Sequence, residues 1–218
     1  MSSRDNDPVT EQSGLSRLVP PKSSRGRARR ERILSAATEL FLDNGYGDTS
    51  IDAIVERSGG SKATLYSYFP AKDELFRAVI DANVSIRDVP ELESEGDVRS
   101  ELVAFAVRRM SVVFSKQHRS LVRLIVGERE RFPDIARMYY ERGPLRSRSF
   151  LTEYMTLLKD RAVLAIEDPA ESAEVLIGML FFEWYLTQLY LAEPPPTREA
   201  MRERAERVVD RFMEAFHK

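Results

Sequence analysis

Ser61, Lys62, Thr64, Tyr66, Ser67, Tyr68 and Lys72 set hydroxyls and ammoniums along one short stretch, with the methyl-sized Ala63 among them. Nothing in that set forms an acid, base or nucleophile constellation. The groups are instead hydrogen-bond donors of the kind that hold phosphate oxygens. A residue as small as Ala63 lets a helix lie deep in a major groove and touch a thymine methyl. Just upstream, Lys22, Arg25, Arg27, Arg29, Arg30 and Arg32 meet a single anion, Glu31, so a chain with a net charge of −2 carries one strongly basic segment. Alone, such a run reads equally well as a solvated helix surface. Its position before the donor-rich stretch makes it phosphate-binding charge, with Arg25 and Arg27 the foremost candidates.

Composition removes other kinds of chemistry. The 218 residues contain no Cys, which excludes disulfides, thiol catalysis and thiolate metal sites. The two histidines, His118 and His217, lie far apart without partner motifs and read as solvated helix residues. With no phosphate-cradling glycine loop and no H-E-x-x-H, neither an enzyme nor a metal or cofactor site is expected. No run approaches the ~18 apolar residues of a membrane span, and no signal-peptide core opens the chain. A cytoplasmic protein, nucleoid-associated when bound to DNA, is the expectation, without a membrane partner.

The donors need elements to hold them. Residues 1–24 are polar and proline-bearing, and read as a flexible arm. Over 25–44, Ile33, Ala36, Ala37, Leu40 and Phe41 recur at helical spacing, and Gly45 supplies a stop. Thr49-Ser50-Ile51-Asp52 has the form of a capping box with the Thr49 hydroxyl as cap, so a helix should begin at Ser50 and bury Ile51, Ile54 and Val55. Gly59-Gly60 makes a corner, Ser61 caps the next helix, and Leu65 and Phe69 point inward. The product is a helix-turn-helix with a polar outer face. Pro70 to Asp73 restarts the chain into a fourth helix with Leu75, Val79 and Ala82 on one side and Lys72 in its first turn as a phosphate clamp.

The run G-x-x-x-T-S-I-x-x-I, then S-G-x-S-K-A-T-L-Y-x-Y-F, then x-x-K-x-x-L-F, between Gly45 and Phe76, resembles the signature of TetR-family transcriptional regulators. It departs at Gly60, where an aliphatic residue is usual, and at Val55 and Ser58, where Ala is common; Gly60 should loosen the turn. The resemblance implies binding to a double-stranded DNA operator as a homodimer, with Thr49, Ser61, Lys62, Thr64, Tyr66, Tyr68 and Lys72 at contacting positions and Ser50 and Ala63 beside them.

Helical periodicity continues to the end of the chain, after a loop at 85–97. Helices are expected over 98–117, 118–129, a segment through Ala136 and Tyr140, 145–165 beyond a break at Gly143-Pro144, 169–192 and 197–216. No strand-like alternation competes, so the fold class is all-α: a helix-turn-helix domain at 25–71 and a helical regulatory and dimerisation domain at 72–218. The 169–192 segment is apolar all round, which demands burial on two sides. Gly178, Phe181, Tyr185 and Gln188 share one side. With Val209, Phe212, Met213 and Phe216 of the last helix they form the expected subunit interface, the alternative being that both helices complete a monomeric bundle. E-R-F-P-D-I-A-R-x-Y-Y-x-x-G-P, with D-P-x-x-x-A, resembles the AcrR/AefR-like branch of the same family. It implies a helical pocket for a small-molecule effector. Phe105, Met110, Leu124, Tyr139, Phe150, Tyr154, Met179 and Glu183 are the candidate lining. Glu183 reads either as an ion pair with Arg123, Arg129 or Arg131 or as a ligand contact. The function these features imply is a DNA-binding regulator, a repressor released from a palindromic operator by a small apolar ligand. The alternative is a ligand-binding or adaptor protein that has lost DNA binding.

Overall fold

The computed structural model describes residues 23–84, 97–191 and 193–216, and every regular element among them is helical. The arm and the interdomain loop expected from the sequence lie outside the described residues, apart from Ser23, Ser24 and Asp97. Ser23 accepts the Gly26 amide at 3.1 Å and so starts α1 (Ser24–Asn44). The Arg-rich run is therefore the first turns of a helix. α2 (Ile51–Ser58) and α3 (Lys62–Tyr68) follow, then α4 (Lys72–Val84). Gly59, at φ 65°, takes the left-handed conformation that turns the chain between α2 and α3.

α1 buries Ile33, Ala36, Ala37, Leu40 and Phe41, as its spacing requires, and α4 buries Leu75, Phe76, Val79 and Ile80 in the same core. Ala82, expected on that side, is exposed; Val84 takes the position instead. This core does not end at residue 71. Leu121 and Ile125 of α6 (Lys116–Glu128) and Ile135 of α7 (Pro133–Tyr140) belong to it too. A second core joins α5 (Val98–Val113), α8 (Arg146–Asp160), α9 (Pro169–Tyr190) and α10 (Arg198–Ala215), through Leu102, Phe105, Leu151, Leu176, Leu180 and Phe212.

Three boundaries differ from the sequence reading. Ser115 caps α6 through the His118 amide, so the α5–α6 corner falls before residue 117. α8 stops at Asp160, and Ala162 turns at φ 55°. At Gly143-Pro144 the helix does not break. α7 passes through a π-helical segment, Glu141–Leu145, into α8, the wider ladder accommodating a proline that has no N–H to give.

Candidate nucleic-acid interface

The hydroxyl of Ser61 caps α3, accepting the Thr64 amide at 3.2 Å and lying 3.0 Å from the Thr64 hydroxyl. Leu65 and Phe69 are fully buried, which fixes the roll of α3 and turns Lys62, Ala63, Tyr66 and Ser67 to solvent. Tyr66 is 43% exposed. Tyr68 is partly buried against the first core, and Thr64 is half-buried, so these two sit at the edges of the exposed face. Lys62 Nζ meets Asp52 Oδ1 at 2.7 Å, an ion pair with both partners more than half exposed. Its carboxylate partner raises the Lys62 pKa, and water screens the pair, so the ammonium stays charged and can exchange to a phosphate.

α1 braces this unit. Arg29 Nη1 donates to the Gly59 carbonyl at 2.8 Å, and the Arg30 guanidinium lies 5.0 Å from the centre of the Phe69 ring. Neither role was readable from the charge run, because each depends on a contact thirty or more residues away. Arg25 and Arg27 are exposed one turn earlier. Gly60 does not loosen a core contact: it is exposed, and a Cβ there would meet only the Arg29 guanidinium at 3.7 Å or more.

Two of the expected contact residues, Thr49 and Lys72, are engaged with backbone carbonyls of the fold. Thr49 is 2% exposed, and its hydroxyl is shared between the carbonyls of Leu40 at 3.0 Å and Gly45 at 2.7 Å. The cap of α2 is Ser50, whose hydroxyl accepts the Ala53 amide. The capping pattern was displaced by one residue because threonine and serine stand side by side and only burial distinguishes them. Lys72 Nζ donates to the Gly47 carbonyl at 3.2 Å and sits 4.6 Å from the centre of the Tyr46 ring; partial burial lowers its pKa. It ties α4 to the turn before α2.

That turn is also held from the regulatory side. Glu128 Oε1 accepts the Gly47 amide at 3.2 Å, and Tyr46 meets Phe132 edge-to-face at 5.0 Å. A Cβ at Gly47 would lie 2.8 Å from the Arg131 guanidinium and 3.1 Å from the Phe132 ring, so the end of Arg131 would have to move to admit one. On α4, Asp81 pairs with Arg142, and the Asn83 carbonyl lies 3.1 Å from His118 Nδ1. His118 is thus no solvated residue. It is 4% exposed, and burial pushes its pKa below the ordinary value. Its signal was a place at i, i+3, i+4, i+7 with Leu121, Val122 and Ile125. His217 lies outside the described residues.

The expected effector residues do not form one site. Phe105 and Met110 are buried in the second core, with Phe150 and Met179 packed against it. Tyr154 is buried there too, donating to Glu101 at 2.6 Å. Leu124 and Tyr139 pack on the first core. Glu183 is exposed on α9, with Arg204 as its charged neighbour rather than Arg123, Arg129 or Arg131. Among the described residues no group of three or more His, Cys, Asp or Glu could hold a metal ion.

The expected interface is also rearranged. Phe181 packs on Phe114 at 6.1 Å, Tyr185 is largely buried, and Gln188 is buried, bonding Arg119 and the Pro194 carbonyl. Val209 and Phe212 are in the core of their own subunit, with Met213 and Phe216 packed against it, because α10 lays its apolar stripe on α5 and α9. Gly178 alone of the expected set is exposed, in line with Val175 and Phe182, the latter 65% exposed.

A two-helix corner braced by arginines, set beneath a helical second core, matches known proteins over nearly its whole length. The family description "Bacterial regulatory proteins, tetR family" matches residues 33–79, and "AefR-like transcriptional repressor, C-terminal domain" matches residues 100–218. The chain belongs to the TetR family. The HTH-type transcriptional regulator YvkB of Bacillus subtilis is 24% identical over 167 residues, covering 77% of this chain and 86% of that protein. A TetR-family regulator from Mesorhizobium loti superposes with a TM-score of 0.77 at 27% identity, covering 90% of this chain and all of that one. The flavonoid-responsive regulator FrrA superposes with a TM-score of 0.74 at 32% identity, covering 88% of this chain and 98% of FrrA. The chain is accordingly a DNA-binding transcriptional regulator of TetR type, and its relatives are regulators rather than enzymes. Among the described residues no helix is long and apolar enough to cross a membrane.

Proposed function

We propose that this TetR-type regulator is a cytoplasmic homodimeric repressor, released from a palindromic operator when a small molecule enters the helical domain. The observation that carries the reading is the exposed face of α3, where Lys62, Ala63, Tyr66 and Ser67 stand clear of a core that fixes the helix's roll. Exposed Arg25 and Arg27 add phosphate charge from α1. Val175, Gly178, Phe182, Leu186 and Leu189 form one apolar line on the outer side of α9, with Phe182 exposed. A second copy crossing at Gly178 buries that line about a two-fold axis and duplicates α3. Hydrogen bonds from α6 and the π-helical segment to α4 and to the Gly47 turn supply a route by which a change in the helical domain reaches α3. A ligand that favours the DNA-free arrangement must bind it better than the bound one.

The test is selection of fragments from the source genome by the purified protein, followed by footprinting. Two inverted half-sites about one helical turn apart, ~34 Å, or a multiple of it, support the dimeric reading. A single, asymmetric half-site contradicts it.

A further inference from the structure

Arg109 on α5 is 5% exposed, and its Nη1 has no hydrogen-bond partner. Arg77 and Arg119 each also leave a buried Nε without a partner, but their other nitrogens are engaged, Arg77 with the Glu74 carboxylate at 3.6 Å. Arg204 donates to the carbonyls of Leu180 and Met179 and covers the Trp184 ring, and Arg119 bonds Gln188. A guanidinium does not shed its proton in a protein, so burying one without an anion is costly.

The groups around Arg109 supply no such anion. Burial lowers the Arg109 pKa, and only the Tyr139 hydroxyl, on α7, opposes that effect. Tyr139 itself is held protonated by burial. Its oxygen lies 3.1 Å from His118 Nε2 on α6, while His118 Nδ1 lies 3.1 Å from the Asn83 carbonyl on α4. With Nδ1–H donating to that carbonyl, Nε2 is left to accept the Tyr139 proton, and the histidine is neutral, as burial and the nearby Arg109 charge require. The cluster therefore carries one buried positive charge and no negative one. Tyr185, which interacts electrostatically with Tyr139, also lines a small gap with Val113, Phe114, Val122 and Leu189, into which Arg119, Arg123 and Gln188 bring polar groups.

We propose that Arg109 anchors the carboxylate of an otherwise apolar, aromatic effector, whose ring lies against Tyr139 and Tyr185. The ligand supplies the missing anion and two acceptor oxygens for the guanidinium fork. The Tyr139 hydroxyl can then donate to the carboxylate instead of to His118. His118 loses its partner on α7 and no longer links that helix to Asn83 on α4, the helix that shares its core with α3. This deepens the ligand-release reading and rests on it for the effect on DNA, though not for binding.

The experiment uses the full chain with three acids, benzoate, phenylacetate and cinnamate, each paired with its neutral amide. Thermal unfolding and tryptophan fluorescence report binding in the absence of DNA. At least one acid is expected to raise the midpoint with at least tenfold tighter apparent affinity than its amide. Arg109→Met should remove that preference while leaving the ligand-free midpoint unchanged or higher, because it deletes an unpaired buried charge. Equal binding of acid and amide, no binding by any acid, or a preference that survives Arg109→Met would overturn the assignment. A second arm adds a genomic fragment selected by the protein. If the acid binds through Arg109 and the fragment stays bound, the anchor stands and the release reading fails.

Discussion

Thr49 and Ser50 divide two tasks that the sequence offers to either. The Thr49 hydroxyl is buried against two carbonyls, so Thr49→Val leaves acceptors unsatisfied and should destabilise the chain by about 1–3 kcal/mol in urea unfolding. No phosphate contact is removed, so the slope of DNA affinity against salt should not change. His118 gives a second prediction. Its folded pKa lies below its unfolded value of 6.5, so protonation favours the unfolded chain. That stability is complete above the unfolded pKa and is lost as pH falls from about 6.5 through the lowered folded pKa. Arg109 from α5 and Tyr139 from α7 face the ring, and neither titrates in that window. His118→Gln should flatten the fall of the unfolding midpoint between pH 6.5 and 5.5; an unchanged slope would place the titration elsewhere. The donor residues of α3 were legible because Leu65 and Phe69 fix which side is outer. The roles of Thr49, Lys72 and Arg29 were not, because each depends on a carbonyl that sequence spacing does not bring near.

Each helix announced itself by periodicity, and Ser61 and Gly45 marked ends where the structure has them. What periodicity could not supply was the rotation of α9. A helix apolar on every side has no preferred face in its own sequence, and the choice is made by Phe114, α8 and α10 around it. They bury Phe181 and Gln188 and leave Phe182 outside. Phe182→Glu, at an exposed position, should fold normally and sediment as a monomer. A dimer that persists would move the interface off this line of α9. The π-helical segment was equally unreadable: Gly143-Pro144 has the composition of a break, yet Gly143 lies against Val84 of α4 and the chain stays helical through it.

Across the whole molecule, the DNA-facing and regulatory parts share material instead of meeting at a seam. α4 is buried in the first core along its length, and residues of α6 and α7 complete that core. Glu128, His118 and Arg142 then bind the Gly47 turn and α4 from the regulatory side. A boundary at residue 71 is a boundary in sequence pattern only, because apolar stripes do not say which partner covers them. If the outer face of α3 carries DNA binding, Ala63→Asp should abolish it. Ala63 is exposed at the middle of that face, so a carboxylate there costs the fold little and meets phosphates and base edges with like charge. The measurement is fluorescence anisotropy of a fragment selected from the source genome, titrated with wild-type and variant protein of matched thermal stability. The variant is expected to lose at least a hundredfold in affinity. Binding within twofold of wild type would contradict it and place the DNA contact, if there is one, on another surface.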